Sequence, residues 1–165
     1  MNANILKTIY LKIGSNRLRY WGIRMLKMAG MRYLVVRLDT NYLCNIRCRM
    51  CYFNDPSTQK IPPMSPELFG TIAREVFPKT RVLYLSCGAE PFCTPNIDDY
   101  LAESRRYAVP FTTLTSNCML LNEQHSRACV QNKLDEIIVS VTGGTRETYE
   151  ENHVGASWEK LWNNL

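Results

Sequence analysis

The chain has 165 residues, of which 45% are hydrophobic and 21% are charged, a composition that suits one folded domain and excludes a disordered polypeptide. No apolar run approaches the roughly 18 residues that a membrane span needs, and we recognise no signal peptide at the N-terminus. The seven cysteines are an odd number, which argues against a purely disulfide-bonded framework. We therefore expect a cytoplasmic protein with reduced thiols and no membrane span.

The net charge of +5 is unevenly distributed along the chain. Residues 1–38 contain eight Lys and Arg residues and no acid, and residues 5–29 mix these cations with apolar side chains in a helical pattern interrupted near Gly14. We expect residues 1–32 to form a basic amphipathic helical segment that packs its apolar side on the remainder. Such a segment can also contact nucleic acid, anionic lipid or an acidic substrate, but charge alone is weak support, and we expect no nucleic-acid partner.

Strands and helices alternate through the rest of the chain. Helix signals include Ser65 as an N-cap with Pro66 at the first helical position. Several strands are continuously apolar, as is typical of a parallel sheet covered by helices. We therefore predict an α/β fold with four βα units and right-handed crossovers. Strands are predicted at residues 33–39, 81–87, 110–116 and 136–142, and further helices at residues 96–108 and 122–133.

Cysteine, glycine and polar residues follow each predicted strand. The cysteine cluster follows the first strand, and the segments CGAEPF, SNCMLL and GGTRET follow the second, third and fourth strands. Because the carboxyl ends of parallel strands meet at one edge of a sheet, we expect these four segments to lie close together. The sequence therefore predicts a functional site at that edge.

Cys44, Cys48 and Cys51 form a C-x3-C-x2-C pattern directly after the first strand. Cysteine thiolates bind zinc or iron–sulfur clusters, and a structural zinc site is normally closed by four ligands. Three thiolates on a cluster of four irons leave one iron open for chemistry. A zinc loop or three incidental thiols are the alternatives. The candidates for a fourth ligand are Cys87, Cys93, Cys118, His125 and His153.

These segments resemble the sequence marks of the radical S-adenosylmethionine (SAM) enzymes. The cysteine pattern matches the hallmark of that family, and its form CNxxCxMC is similar to the subgroup with SPASM-like auxiliary domains. Residues 88–91 (Gly-Ala-Glu-Pro) resemble the Gly-Gly-Glu-Pro stretch after strand two. Residues 115–118 (Thr-Ser-Asn-Cys) resemble a Thr-Asn-Gly turn, and residues 140–143 (Ser-Val-Thr-Gly) resemble a Ser-x-Asp-Gly strand end.

The resemblance implies a partial (β/α) barrel that binds a 4Fe–4S cluster and SAM. Cys44, Cys48 and Cys51 would hold three irons, and the methionine part of SAM would chelate the fourth. Reductive cleavage of SAM would give a 5′-deoxyadenosyl radical that abstracts hydrogen from a substrate. No catalytic side chain is assigned. The residues implied in SAM binding are Met50, Gly88, Ala89, Glu90, Pro91, Ser116, Asn117 and Ser140, with Glu90 and the backbone of residues 88–91 receiving the ammonium group.

Three residues depart from the pattern of the family. Ala89 replaces a glycine, which we expect to be tolerated if its φ is negative. Cys118 replaces a glycine after strand three, and Thr142 replaces an acid after strand four. The last two replacements concern the implied ribose contacts more than the cluster.

The barrel of the family contains further units after the fourth. We therefore expect residues 33–165 to be a core domain truncated at its C-terminal end, as the N-terminal part of a longer enzyme. The resemblance implies a flavodoxin- or ferredoxin-like electron donor and favours a peptide or protein substrate. The alternative function is a non-catalytic iron–sulfur or metal-binding module for electron transfer or regulation. Formation of 5′-deoxyadenosine from SAM separates the enzyme from the module.

Overall fold

The computed structural model describes residues 16–54 and 61–165. In this part of the chain, a parallel sheet has the strand order β1-β3-β4-β5, and β2 pairs antiparallel with β6. The predicted α/β architecture with four parallel strands is confirmed. The sheet does not close into a barrel within the described residues. The strands are β1 (Leu34–Leu38), β2 (Arg47–Cys48), β3 (Thr80–Leu85), β4 (Phe111–Ser116), β5 (Glu136–Val139) and β6 (His153–Val154).

Helices connect the parallel strands. The Ser65 hydroxyl accepts the N–H of Leu68 at 3.2 Å, and Pro66 begins the first connecting helix, as the sequence predicted. A short helix that the sequence did not reveal begins after Thr145, whose side chain forms a capping box with Thr148. In the described residues the α-helices are α1 (Asn16–Met28), α2 (Pro66–Val76), α3 (Ile97–Arg106), α4 (Glu123–Gln131), α5 (Arg146–Asn152) and α6 (Trp158–Asn164).

The hydrophobic core joins the sheet to these helices. Leu83 and Leu85 of β3 and Leu114 of β4 are fully buried in one apolar cluster with side chains from α2, α3, α4 and α6. Phe69 of α2 and Tyr100 of α3 stack with their ring centroids 4.0 Å apart. Burial of each such side chain contributes about 1.5–3 kcal/mol, so this cluster holds the strands in register and fixes where their ends lie.

The N-terminal helix α1 is present where an amphipathic helix was predicted, but none of its residues is buried. Ile23 and Leu26 are half-buried, whereas Trp21, Met25 and Met28 are 58%, 63% and 76% exposed. The expectation that its apolar side packs on the remainder is therefore wrong for most of that side. Residues 1–15 lie outside the described residues, and a separate segment ending at residue 32 stays a prediction. None of the described helices combines the length and hydrophobicity that crossing a bilayer requires.

Candidate functional site

The carboxyl ends of the parallel strands surround a cavity of about 300 Å³. Ten of the eleven predicted site residues line this cavity. The exception is Pro91, which is buried and begins a short 3-10 turn, Pro91–Cys93. Three of the four strand-end segments contribute to this lining, whereas after β5 the lining residues are Ser140 and Thr142, directly before the GGTRET segment. The lining consists of Cys44, Cys48, Met50, Cys51, Gly88, Ala89, Glu90, Ser116, Asn117 and Ser140, together with Ile46, Tyr52, Phe53, Cys87, Thr115, Thr142 and His153.

The cysteine loop is held by an apolar anchor in the core, by the pairing of β2 with β6 and by hydrogen bonds within the loop. Ile46 is 3% exposed and belongs to the hydrophobic cluster. The Arg47 guanidinium donates to the carbonyl of Cys44 at 2.6 Å, and the Cys51 N–H donates to the carbonyl of Cys48 at 3.1 Å. These contacts hold the three cysteines against the mouth of the sheet, where they are half-buried.

The thiols of the loop are half-buried and lie within each other's electrostatic field. Burial raises the pKa of Cys48 to about 11, and the neighbouring Cys44 and Cys51 add to this rise. Burial also raises the pKa of Cys44, with Glu90 and Cys51 contributing. Metal binding at this loop must therefore release protons, since the ligand is the thiolate. Across residues 16–54 and 61–165, no group of three or more His, Cys, Asp or Glu side chains is arranged to hold a single metal ion.

Glu90 joins the ends of β3 and β4. Its side chain is 2% exposed and accepts from the Ser116 hydroxyl at 2.8 Å, the Asn117 N–H at 2.9 Å and the Phe92 N–H at 3.3 Å. Burial raises the pKa of Glu90, and these donors oppose that rise. Both carboxylate oxygens are thus engaged by this chain. A direct contact of the Glu90 carboxylate with an ammonium group stays a prediction.

Asp39, directly after β1, holds the loop that follows β3. Its Oδ1 accepts the N–H groups of Cys87 at 2.8 Å and Gly88 at 2.9 Å. A Cβ on Gly88 would lie 2.6 Å from two carbons of the Phe53 ring, so a larger residue at this position would require that ring to shift. The backbone at Gly88 therefore lies close against the cavity lining.

Cys118, which stands where the family pattern has glycine, lies in the turn after β4. Cys118 has φ +59°, a left-handed conformation that glycine adopts with least strain. The Asn117 side chain accepts the Met119 N–H at 2.9 Å, and its amide nitrogen lies 3.6 Å from the Cys44 sulfur. Ala89 is not one of the described non-glycine residues with positive φ. The condition under which alanine was expected to be tolerated there is therefore met.

His153 stands opposite the cysteine loop. Its ring is 2% exposed, with Nδ1 3.3 Å from the Cys48 sulfur and Nε2 accepting the Thr142 N–H at 3.1 Å. Burial lowers the pKa of His153, which favours the neutral ring. His125, the other histidine, instead lies 2.9 Å from Asp98 and is not part of the cavity lining.

A sequence model of the radical SAM superfamily matches residues 38–165. The chain belongs to the radical SAM superfamily. No curated protein matches this radical SAM chain significantly.

Solved structures share its fold. BtrN in complex with AdoMet and 2-DOIA has a TM-score of 0.61 at 18% identity, covering 82% of this chain and 53% of that one. Native anSMEcpe with bound AdoMet has a TM-score of 0.64 at 19% identity, covering 79% and 39%. The structure of anSMEcpe with AdoMet and Kp18Cys peptide has a TM-score of 0.62 at 15% identity, covering 79% and 38%. The radical SAM chain spans about half or less of these proteins.

The residues present in this radical SAM chain fit the cluster that the superfamily implies. Cys44, Cys48 and Cys51 all line one cavity, and cysteine thiolates are the usual ligands of such clusters. The missing side chain at Gly88 keeps backbone rather than bulk beside the cavity. Room, donor atoms and an uncrowded wall therefore occur together.

Sequence reasoning missed two residues of the site. Asp39 is an acid directly after a strand, a signal that could have been weighed, since strand ends carry the functional groups of this fold. His153 had been named only as one possible fourth ligand. Its position depends on the two-residue pairing of β2 with β6, for which the sequence carries no periodic signal.

Proposed function

We propose that this radical SAM chain binds a 4Fe–4S cluster through Cys44, Cys48 and Cys51, and binds SAM in the cavity beside it. The observation that supports this proposal is the single cavity lined by all three thiols and by the ends of β3, β4 and β5. A site for cluster and SAM together needs such an arrangement, since the two must touch. The chain would contribute this site to a radical SAM enzyme.

When held by Cys44, Cys48 and Cys51, the cluster would supply the electron for reductive cleavage of SAM and thereby the chemistry of hydrogen abstraction from a substrate. The residues of this chain would hold the cluster and SAM and would shield them from water. The half-buried cysteine loop keeps water away from the sulfur atoms, and the backbone carbonyls near Gly88 and Ala89 can accept the SAM ammonium group. We propose that Ser140 contacts a ribose hydroxyl of SAM and that Met50 flanks its adenine ring, since both residues line the cavity.

A peptide or protein is the proposed substrate. Two observations support this choice: the CNxxCxMC form of the cysteine loop, similar to the SPASM-like subgroup, and the fold shared with anSMEcpe, which was solved with the Kp18Cys peptide. We propose a flavodoxin- or ferredoxin-like protein in the cytoplasm as electron donor. The exposed Arg47 and Arg49 of the cysteine loop suit the acidic surface of such a donor.

Anaerobic reconstitution with iron and sulfide, followed by reduction in the presence of SAM, tests the proposal. We expect about four irons and four sulfides per chain and formation of 5′-deoxyadenosine. A bound cluster without 5′-deoxyadenosine, under conditions where SAM is bound, would favour the electron-transfer or regulatory module instead. Tightly bound zinc without sulfide would contradict the iron–sulfur proposal and would favour a metal-binding module.

A further inference from the structure

Backbone pairing between two short strands places His153 next to Cys48. The two residues are register partners in the antiparallel pairing of β2 with β6, although 105 positions separate them in the chain. The imidazole stacks on the ring of Tyr149, with centroids 4.6 Å apart and an interplanar angle of 24°. Because the ring is 2% exposed and held on one face, its two nitrogens have fixed partners.

Those partners determine which nitrogen carries the proton. The backbone N–H of Thr142 can only donate, and it points at Nε2 from 3.1 Å. Nε2 therefore bears the lone pair, and the Thr142 hydroxyl, 2.6 Å away, is free to donate to it as well. A neutral imidazole with a lone pair on Nε2 carries its hydrogen on Nδ1. That N–H faces the Cys48 sulfur at 3.3 Å.

We propose that His153 is a positioning residue that donates its Nδ1–H to the sulfur of Cys48 and raises the reduction potential of the cluster. This inference rests on the proposed function, because it needs a cluster bound through Cys48. A hydrogen bond to a ligand sulfur stabilises the reduced cluster more than the oxidised one, since the reduced form carries one more negative charge. The same proton excludes Nδ1 as a fourth metal ligand.

The potential of the cluster measures this hydrogen bond directly. His153→Phe keeps a flat ring against Tyr149 but removes the donor, whereas His153→Asn places an amide N–H where Nδ1–H was. In the reconstituted chain, we expect His153→Phe to lower the equilibrium constant for one-electron reduction about tenfold, or about 59 mV. His153→Asn should recover most of that loss. An EPR-monitored redox titration, with iron and sulfide content measured on each sample, gives these values.

The proton position can be measured without any cluster. The chain has two histidines, so a nitrogen-15 NMR spectrum of the metal-free chain contains two imidazoles, and His125→Gln identifies the other. We expect His153 to carry its hydrogen on Nδ1. A hydrogen on Nε2 would overturn the inference, even if His153→Phe failed to fold or to bind iron.

The outcomes separate this inference from the proposed function. A wild-type chain that binds no cluster rejects the proposed function. A wild-type cluster whose potential is unchanged in His153→Phe rejects the role of His153 and leaves the proposed function standing. A lowered potential in His153→Phe that His153→Asn restores supports both.

Discussion

The cysteine loop lies between two walls that are built differently. The inner wall consists of residues 88–90 at the end of β3 with Ser116 and Asn117 at the end of β4, and Asn117 reaches the sulfur of Cys44. The outer wall consists of residues 140–142 at the end of β5 with His153, which reaches the sulfur of Cys48. Inner-wall residues such as Glu90 and Ser116 are almost fully buried, whereas Val141 and Thr142 are exposed.

This difference suggests that the inner wall contributes mainly to the stability of the fold and the outer wall mainly to the properties of the cluster. The inner wall is joined by hydrogen bonds to a buried carboxylate, and loss of such an acceptor leaves buried donors without partners, which costs about 1–3 kcal/mol for each group. The outer wall reaches the loop through one buried imidazole on an exposed strand end, where water can replace lost partners. We therefore expect changes in the inner wall to lower the free energy of unfolding and changes in the outer wall to shift the reduction potential of the cluster.

The largest effect is expected from substitutions in the cysteine loop itself, which lies between the two walls. Replacement of Cys44, Cys48 or Cys51 by alanine should abolish cluster binding, because two thiolates do not hold a cubane that needs three. Iron and sulfide content and the visible absorption after reconstitution measure this loss. Cys129→Ala is the matched control, since Cys129 is buried in α4 outside the cavity lining, and it should retain the cluster. If one of these three variants still binds four irons, the cysteine replaced in it is not a ligand.

Glu90→Ala tests the inner wall. The substitution removes the acceptor for the Ser116 hydroxyl and for the N–H groups of Asn117 and Phe92, all buried. We expect the free energy of unfolding to fall by about 3 kcal/mol, measured by urea denaturation. Glu151→Ala is the control, because its exposed ion pair with Arg49 should contribute under about 1 kcal/mol. Equal effects of the two variants would remove the distinction between the walls.

Gly88→Ala tests how closely the inner wall is packed. The added methyl group would lie 2.6 Å from the ring of Phe53, so we expect the free energy of unfolding to fall by about 2 kcal/mol. Phe53→Leu in the same chain should reduce that loss. Gly70→Ala in α2 is the control, since its Cβ meets nothing within 4 Å and should stabilise the helix by about 1 kcal/mol. Destabilisation by both alanines would point to the backbone rather than to Phe53.

The titration of Glu90 predicts a smaller, pH-dependent effect. Burial raises the pKa of Glu90 above its ordinary 4.5, so the folded protein keeps this proton where the unfolded chain has released it. The contribution of Glu90 to the free energy of unfolding therefore falls as the pH rises from 4.5 through the raised value. Glu90→Gln should remove that part of the slope at pH values above 4.5. An unchanged slope in the variant would assign it to other groups.

Thr142→Ala should have the smallest effect on stability. It removes the hydroxyl near Nε2 of His153 but leaves the backbone N–H in place, and the site is exposed. We expect the free energy of unfolding to fall by less than about 1 kcal/mol in thermal or urea unfolding. Thr142→Ser, which keeps the hydroxyl, should match the wild type. A loss as large as that in Glu90→Ala would mean that the outer wall is also structural.

Short-range patterns in the sequence predicted most of the fold and the cysteine loop. The apolar strands, the Ser65 N-cap and the C-x3-C-x2-C spacing each depend on residues a few positions apart. The strand-end rule then brought the predicted segments to one edge of the sheet, because parallel strands share their direction. Sequence alone thus predicted the superfamily and the edge of the sheet at which the site lies, and both are confirmed, whereas the cluster ligands stay a prediction.

Only the tertiary structure decided how the walls meet the loop. Glu90 reaches Ser116 across 26 residues, Asp39 reaches Gly88 across 49, and His153 reaches Cys48 across 105. Such contacts depend on strand register and on which polar groups the core closes over, and neither leaves a periodic trace in the chain. The exposed apolar side of α1 was missed for the same reason: amphipathic spacing states that a face is apolar, whereas packing decides whether anything covers it.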